Sequence, residues 1–323
     1  MIKNIQKITL FFKIILFVIC IIFIFTLFKD QDLISKSKII SQNQNFKILF
    51  PIIMILTIVN WLLESIRWKK LLTPIEKIST KQAFFSVIAG LSSGIWTPGR
   101  VGEFLGRMLL LPSEKRILFP LAWAIGSFIQ WLVTFSIGFF SILFIANCQV
   151  NHKSIINIIA ETYQETYYLF IIILMSLIFS VILLISLGAF KSLKFKSKSF
   201  DFIQIVKSYH VTSIFQIISL SFARYMIFSI QFLLAISLWH NSFSPFCLLL
   251  INSFMFWIAT LIPSFSFTEP TAKTFILTTL FPDFFSIGSE LILSSYIVWV
   301  SNIAIPSIIG SIVLLVFSSR SSS

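Results

Sequence analysis

The sequence predicts an all-α polytopic membrane protein, with about six full transmembrane helices plus two re-entrant broken helices arranged as an inverted repeat. The chain is 57% hydrophobic and only 11% charged. Its longer apolar runs reach the roughly 20 residues of helix that a bilayer requires. Two other runs end at a proline that is followed by charged residues, a pattern that simple spanning helices rarely contain.

Six apolar segments have the length of a full span, and two others are short or interrupted. The segment at 83–96 is too short to cross and continues into Pro98, whereas 244–262 ends at Pro263 and precedes a short apolar piece at 274–281. A break in a helix leaves backbone N–H and C=O groups without partners, and hydrocarbon cannot hydrate them. We therefore expect both segments to be re-entrant helices that are buried inside the protein. A full crossing by 244–262 is the alternative. The predicted spans are 8–28 (a retained anchor helix), 47–66, 117–146, 167–190, 209–238 and 287–317.

Basic residues predict the orientation of the chain. If the N-terminus is cytoplasmic and both interrupted segments re-enter, the inside loops hold 15 Lys and Arg, against 5 in the outside loops. Positive loops face the cytoplasm, so we expect both termini there, in a bacterial inner membrane. Basic residues in short loops also suit anionic lipid head groups as partners, and they do not form the basic face that nucleic acid requires.

The order of span, interruption and span occurs twice, with opposite sense. This order predicts an inverted repeat with four parts. An anchor helix and loop form 1–46, the first repeat is 47–146, a connecting helix and basic loop form 147–208, and the second repeat is 209–323.

The two interruptions also resemble each other in their charges. In the first, Glu103 precedes Arg107 by four residues, and in the second Glu269 precedes Lys273 by four. That spacing places an acid and a base on one helix face. Broken helices at matching positions of two halves are typical of a transporter's binding site. The candidate substrate-binding residues are Pro98, Gly99, Arg100, Gly102, Glu103, Arg107, Arg224, Pro263, Glu269 and Lys273.

Phosphate is the ligand group that these residue types favour. A helix that begins near Gly99 or Thr268 would direct unpaired N–H groups at an anion. Arg100 and Arg107 would add forked hydrogen bonds to the same group.

The carboxylates leave two interpretations open. Glu103 and Glu269 would bind arginine in an empty site or meet a cationic amine, so a zwitterionic or aminoacylated phospholipid would satisfy both signs. Alternatively, the pairs are structural, although desolvation offsets much of the gain from burying ions. Arg224 either reaches one of these two acids or extends to a head group at the membrane surface.

Other features carry less information. We interpret the run from Arg67 to Lys70 as an interfacial anchor, and Gln130 and Asn302 as cavity-lining or interhelical residues. The three cysteines and three histidines lack metal-ligand spacing, so we expect no metal or cofactor and read the cysteines as apolar filler.

Arg67-Trp68, the Pro98-Gly99-Arg100-Val101-Gly102-Glu103 run with Arg107, and a second proline-and-glutamate motif together resemble the lysylphosphatidylglycerol synthase transmembrane region family. The resemblance covers essentially the whole chain. It implies a flippase-like protein that moves a phospholipid or polyprenyl-linked lipid between leaflets. The second motif departs from the family's pattern, because Pro263 to Pro270 contains neither the usual glycines nor an arginine.

The expected function is therefore lipid translocation without enzymatic activity. No soluble synthase domain follows the last span, and no GxxxxGK[ST] motif is present to bind ATP. The alternative is an intramembrane enzyme or accessory subunit of lipid-linked glycan synthesis, with Glu103 or Glu269 as a base. Only these two acids are expected at membrane depth. The sequence leaves the oligomeric state open.

Overall fold

The computed structural model describes residues 44–111, 116–145, 149–150, 153–154, 208–238, 244–261, 266–281 and 288–320. The predicted spans at 8–28 and 167–190 lie outside these ranges. The described part is all-α, apart from a two-residue antiparallel ladder between β1 (Gln149–Val150) and β2 (Lys153–Ser154).

The helices follow the predicted segments closely. A π-helical segment, Val300–Ala304, joins the last two of them, and 3₁₀ turns lie at Pro98–Arg100, Arg116–Leu118 and Ser266–Thr268. The helices are α1 (Gln44–Leu72), α2 (Thr80–Gly94), α3 (Glu103–Leu109), α4 (Phe119–Ile145), α5 (Val211–Ile236), α6 (Pro245–Leu261), α7 (Glu269–Leu280), α8 (Gly288–Trp299) and α9 (Ile305–Arg320).

Four stretches of the described chain are long and apolar enough to cross a membrane. They are Asn45–Leu72, Phe119–Ser141, Val211–Ile236 and Leu291–Val316, and they correspond to four of the six predicted spans. Large apolar side chains such as Ile55, Phe140 and Phe215 are exposed on their outer faces. An aqueous surface rarely carries so many, whereas lipid tails cover them readily.

Short helices lie between the spans. α2 begins with a capping box, in which Ser79 accepts from the Gln82 backbone N–H and Gln82 accepts from that of Ser79. α2 and α3 form an antiparallel hairpin in which the helices touch through glycine. A β-carbon on Gly106 would lie 2.3 Å from the Ala89 carbonyl oxygen, so only glycine permits this approach.

The start of α3 differs from the prediction. Gly99 and Arg100 have φ angles of 58° and 57°, which lie in the left-handed region. This turn delays the helix, which begins at Glu103 instead of near Gly99. The corresponding prediction for the second interruption is confirmed, since α7 begins at Glu269 with Thr268 as its N-cap.

The two halves of the described chain pack reciprocally. α1 packs against α5, α2 against α9, and α6 against α4, so the first arm of each hairpin contacts the last span of the other half. The α2–α9 contact and the α4–α6 contact each include a glycine. Gly310 of α9 faces the Ile88 carbonyl of α2, and Gly138 of α4 faces Trp257 of α6. This exchange brings the two interruptions together, because the 3₁₀ turns at 98–100 and 266–268 are in contact.

Two further contacts connect the elements. The hydroxyl of Tyr209, just before α5, donates to the Leu71 carbonyl at the end of α1. Burial raises the pKa of Tyr209 to about 12, which keeps this donor protonated. Cys247 near the start of α6 is disulfide-bonded, so the interpretation of the cysteines as apolar filler is wrong for this residue.

Candidate functional site

Glu64 lies at the centre of a buried ion cluster. Its side chain is 1% exposed, near the end of α1. Its carboxylate oxygens lie 2.7 Å from Arg67 Nη2, 2.8 Å from Arg107 Nη1 and 2.6 Å from Arg224 Nη1. One carboxylate is therefore shared by three guanidinium groups from three helices. The prediction that only Glu103 and Glu269 lie at membrane depth is wrong.

Sequence reasoning missed Glu64 although a signal was present. It lies inside the apolar segment 47–66 and three residues before Arg67, a spacing that pairs charges on one helix face. A carboxylate with a cation in that register inside an apolar run is the pattern that marks intramembrane function.

Arg67 and Trp68 do not form an interfacial anchor. Arg67 is buried, and besides Glu64 it donates to the Gly126 carbonyl, Gln130 and the Ser221 hydroxyl. Trp68 is fully buried and donates from its indole N–H to Ser86. The prediction of an interfacial anchor is therefore wrong for these two residues. Arg67 also no longer counts among the basic residues of the inside loops.

The first predicted pair forms inside the same cluster. Arg107 Nη2 donates to Glu103 Oε2 at 2.9 Å, and the Arg107 guanidinium lies 4.9 Å from the centre of the Trp68 ring. Both side chains are buried. The hairpin fixes them from behind, because Ser86 of α2 donates to the Arg107 carbonyl oxygen. The pairing predicted from the spacing of four residues is confirmed.

Arg224 has a different partner from either predicted alternative. It neither pairs with Glu103 or Glu269 nor extends to the membrane surface, but binds Glu64. It also donates to Asn60 and Gln130, each at 3.2 Å. α5 thus contributes a cation to the acid of α1.

Arg100 connects the two interruptions. Its Nη2 donates to Glu269 Oε2 at 3.2 Å, its Nε donates to the Ser266 hydroxyl at 3.2 Å, and its Nη1 lies 4.0 Å from Glu103 Oε1. Gly99 and Arg100 form a left-handed turn between the end of α2 and the start of α3. This turn directs the Arg100 side chain toward the second interruption. One guanidinium therefore contacts a carboxylate of each half.

The second predicted pair is also present. Lys273 Nζ lies 3.6 Å from Glu269 Oε2, on the same face of α7. The ammonium also lies 5.1 Å from the Phe228 ring centre and 5.4 Å from that of Phe256. An ammonium held over two rings in a partly buried site has lost most of its water and interacts strongly with an anion.

Two cavities open at these ion pairs. The larger has a volume of about 730 Å³, which is within the range of sites for small ligands. Its charged lining is Arg100, Arg224, Glu269 and Lys273, and much of the remainder is aromatic or apolar. The smaller, about 340 Å³, is lined by the Glu64 cluster and by Arg100. Arg100 and Arg224 line both cavities, so the two cavities are adjacent.

A chain of buried amides continues from the larger cavity. Asn60 donates to Asn302, and Asn302 donates to Gln231, which donates to Thr57. Asn302 lies in the π-helical segment just before Pro306, whose missing N–H and ring disrupt the regular helix. Gln130 and Asn302 thus both line the cavity and bond between helices, so the two predicted roles coincide.

The remaining predicted site residues support the turns. Gly99 lines both cavities, and the Gly102 backbone N–H donates to the Thr97 hydroxyl. Pro98 begins the first 3₁₀ turn, and Pro263 lies outside the described residues. Within the described ranges, no group of three His, Cys, Asp or Glu could hold a metal ion.

Comparisons with protein-family models, with curated proteins and with solved structures find no match to this chain.

Proposed function

We propose that the protein is a flippase-like lipid translocase of a bacterial inner membrane, with both termini cytoplasmic and no enzymatic activity. It would move a phospholipid or another lipid-linked anionic or zwitterionic substrate between leaflets. The proposal includes kinship with the lysylphosphatidylglycerol synthase transmembrane region family, which the Pro98 to Glu103 motif resembles.

The observation that carries the proposal is the contact of the two broken helices across Arg100. Glu103 and Glu269 belong to different hairpins, yet both lie within 4.0 Å of this guanidinium, beside a cavity of about 730 Å³. Helices broken at matching positions and facing one cavity are typical of the binding sites of transporters that work by alternating access.

Reciprocal packing supports the inverted repeat that the proposal assumes. Each hairpin contacts the last span of the other half, with Gly138 and Gly310 at the two contacts. Arg224 of α5 binds Glu64 of α1, and Gln231 of α5 binds Thr57 of α1. Each helix spaces its two residues by seven positions, so Gln231 corresponds to Glu64 in the proposed repeat. In the proposed repeat, this position therefore holds a buried polar side chain in both halves. It is charged in the first half, as Glu64, and neutral in the second, as Gln231.

The cavity suits a lipid better than a water-soluble solute. Its apolar lining includes Phe228, Phe256, Leu261 and Ile303, none of which lines the smaller cavity at the Glu64 cluster. In the proposed mechanism the head group binds the cations while the first part of the acyl or prenyl chain lies against these side chains. Exchange of the Arg100 partners would then open the path to the other leaflet.

An enzyme of lipid-linked glycan synthesis has less support. A general base needs a carboxylate that is free to accept a proton. Glu103 and Glu269 are each held by two cations, at distances from 2.9 to 4.0 Å. Both carboxylates are therefore already engaged by cations of the protein itself.

A proteoliposome assay with fluorescent phospholipids tests the proposal. We expect wild-type protein to accelerate exchange between leaflets, and Arg100→Ala and Glu103→Gln to slow it at least tenfold, since each loses a charge-assisted contact. Arg116→Ala is the matched control, because Arg116 lines neither cavity. Exchange by the wild type no faster than by Arg100→Ala would overturn the proposal.

A further inference from the structure

We propose that the head group this cavity selects is a phosphate dianion, as in a phosphomonoester or diphosphate lipid, and not a zwitterion or an amine. This inference rests on the proposed function and narrows its substrate. It follows from the balance of charge around the two cavities, from a donor without an acceptor, and from the division of the wall into a charged and an apolar part.

The charges lining the two cavities do not cancel. Among the described residues, five cations face three carboxylates. The four arginines stay charged at any physiological pH and alone outnumber the acids. Protonation of any carboxylate would only enlarge the excess. The cations are Arg67, Arg100, Arg107, Arg224 and Lys273, and the acids are Glu64, Glu103 and Glu269.

The larger cavity by itself has an excess of two positive charges. Its wall carries Arg100, Arg224 and Lys273 against the single acid Glu269. The acid that pairs with Arg224 is Glu64, which also binds Arg67 and Arg107. An uncompensated charge away from water is strongly unfavourable, so a bound anion with about two negative charges is the ligand that stabilises this wall.

An unused donor belongs to a side chain in the wall that the two cavities share. Trp61 lines both cavities, is 6% exposed, and has no hydrogen-bond partner for its indole N–H among the described residues. A buried N–H without an acceptor is unfavourable, because it has given up its hydrogen bond to water. A phosphate has several acceptor oxygens, so a rotation of the Trp61 indole toward the cavity would let one group bind this N–H and the cations together. An ammonium offers only donors and would leave this N–H unpaired.

The apolar part of the wall indicates that the phosphate is carried on a lipid. Phe228 and Phe256 lie beside Lys273, and Leu261 and Ile303 continue the surface. Inorganic phosphate or pyrophosphate would leave these side chains uncovered. A phosphate attached to an acyl or prenyl chain would occupy both parts of the cavity.

Binding measurements on the purified full chain in detergent micelles test the inference without requiring transport. The probes are dioleoyl phosphatidic acid, whose phosphomonoester carries about 1.5 to 2 negative charges at pH 7, zwitterionic dioleoyl phosphatidylcholine, and inorganic pyrophosphate. We expect phosphatidic acid to bind at least tenfold more tightly than phosphatidylcholine, and pyrophosphate to compete only weakly. Equal affinity for the two lipids would overturn the inference, and tight pyrophosphate binding would overturn its lipid part.

Single substitutions locate the site. Lys273→Gln should weaken phosphatidic acid binding about tenfold by removing one charged contact, whereas Lys273→Arg should keep most of it. Lys77→Gln is the control, since Lys77 is exposed and lines neither cavity. Unchanged phosphatidic acid affinity in folded Lys273→Gln protein would contradict the inference.

These results separate the inference from the proposed function. Tight phosphatidic acid binding without any lipid exchange in proteoliposomes would leave the inference standing and overturn the proposed function. Lipid exchange with equal affinity for both lipids would support the proposed function and overturn the inference.

Discussion

Single residues show how a buried charge organises this protein. Glu64 joins α1, α3 and α5 through three arginines, and among the described residues the other carboxylate within 4.0 Å of these arginines is Glu103. The pairs with four-residue spacing were predictable from the sequence, because an i, i+4 register fixes the neighbours on a helix. The partner of Arg224 was not, since helix packing decides which elements meet across 160 residues.

Replacement of Glu64 by glutamine should destabilise the fold. Three buried guanidinium groups would lose their shared charge, and removal of one partner from a buried ion pair costs about 3 to 5 kcal/mol. Thermal unfolding in detergent should therefore occur at a markedly lower temperature. Glu76→Gln provides the comparison, because Glu76 is more exposed and lines neither cavity. Similar midpoints for the two variants would mean that the Glu64 cluster does not support the fold.

At the scale of elements, the breaks in the helices were predictable but their geometry was not. Proline and short apolar length place the ends of α2 and α6 correctly, because proline removes a backbone donor. The delayed start of α3 depends on the left-handed backbone of Gly99 and Arg100. Glycine adopts this conformation readily, but nothing about an arginine predicts it. The π-helical segment at 300–304 also has no local signature beyond Pro306.

Two glycines of the first hairpin should respond differently to alanine. A β-carbon on Gly106 would lie 2.3 Å from the Ala89 carbonyl oxygen, so Gly106→Ala should separate α2 from α3 and lower both thermal stability and lipid exchange. Gly99 has open space around it, so the only obstacle to a side chain there is its left-handed φ of 58°. Gly99→Ala should therefore lower the free energy of unfolding by about 1 kcal/mol. Equal effects would indicate that close α2–α3 contact is unimportant.

The whole molecule is described best as two halves that exchange contacts. Segment order alone predicted the repeat, and the reciprocal packing of the hairpins supports it. The charge cluster breaks the proposed symmetry, since Gln231 stands where the first half has Glu64. Sequence patterns report each helix separately and could not show that Arg100 of one half meets Glu269 of the other.

Orientation is a property of the whole molecule that labelling can test. The charge bias places Lys77 inside and the start of α6 outside, and the disulfide of Cys247 near that start fits an oxidising compartment. In a chain whose native cysteines are replaced by serine, a membrane-impermeant maleimide applied to intact spheroplasts should label Ser244→Cys and not Lys77→Cys. Permeabilised spheroplasts serve as the control and should label both. The reverse pattern in intact spheroplasts would invert the topology.

The contact between Arg100 and Glu269 joins the two broken helices, and a double-mutant cycle on lipid exchange measures whether this contact lies on the lipid path. Initial exchange rates in proteoliposomes are measured for the wild type, Arg100→Gln, Glu269→Gln and the double variant. Because the two side chains act on each other, the effects should be non-additive, with a coupling of about 1 kcal/mol or more. Additive effects, or no protein-dependent exchange, would contradict a lipid path at the meeting point of the two broken helices.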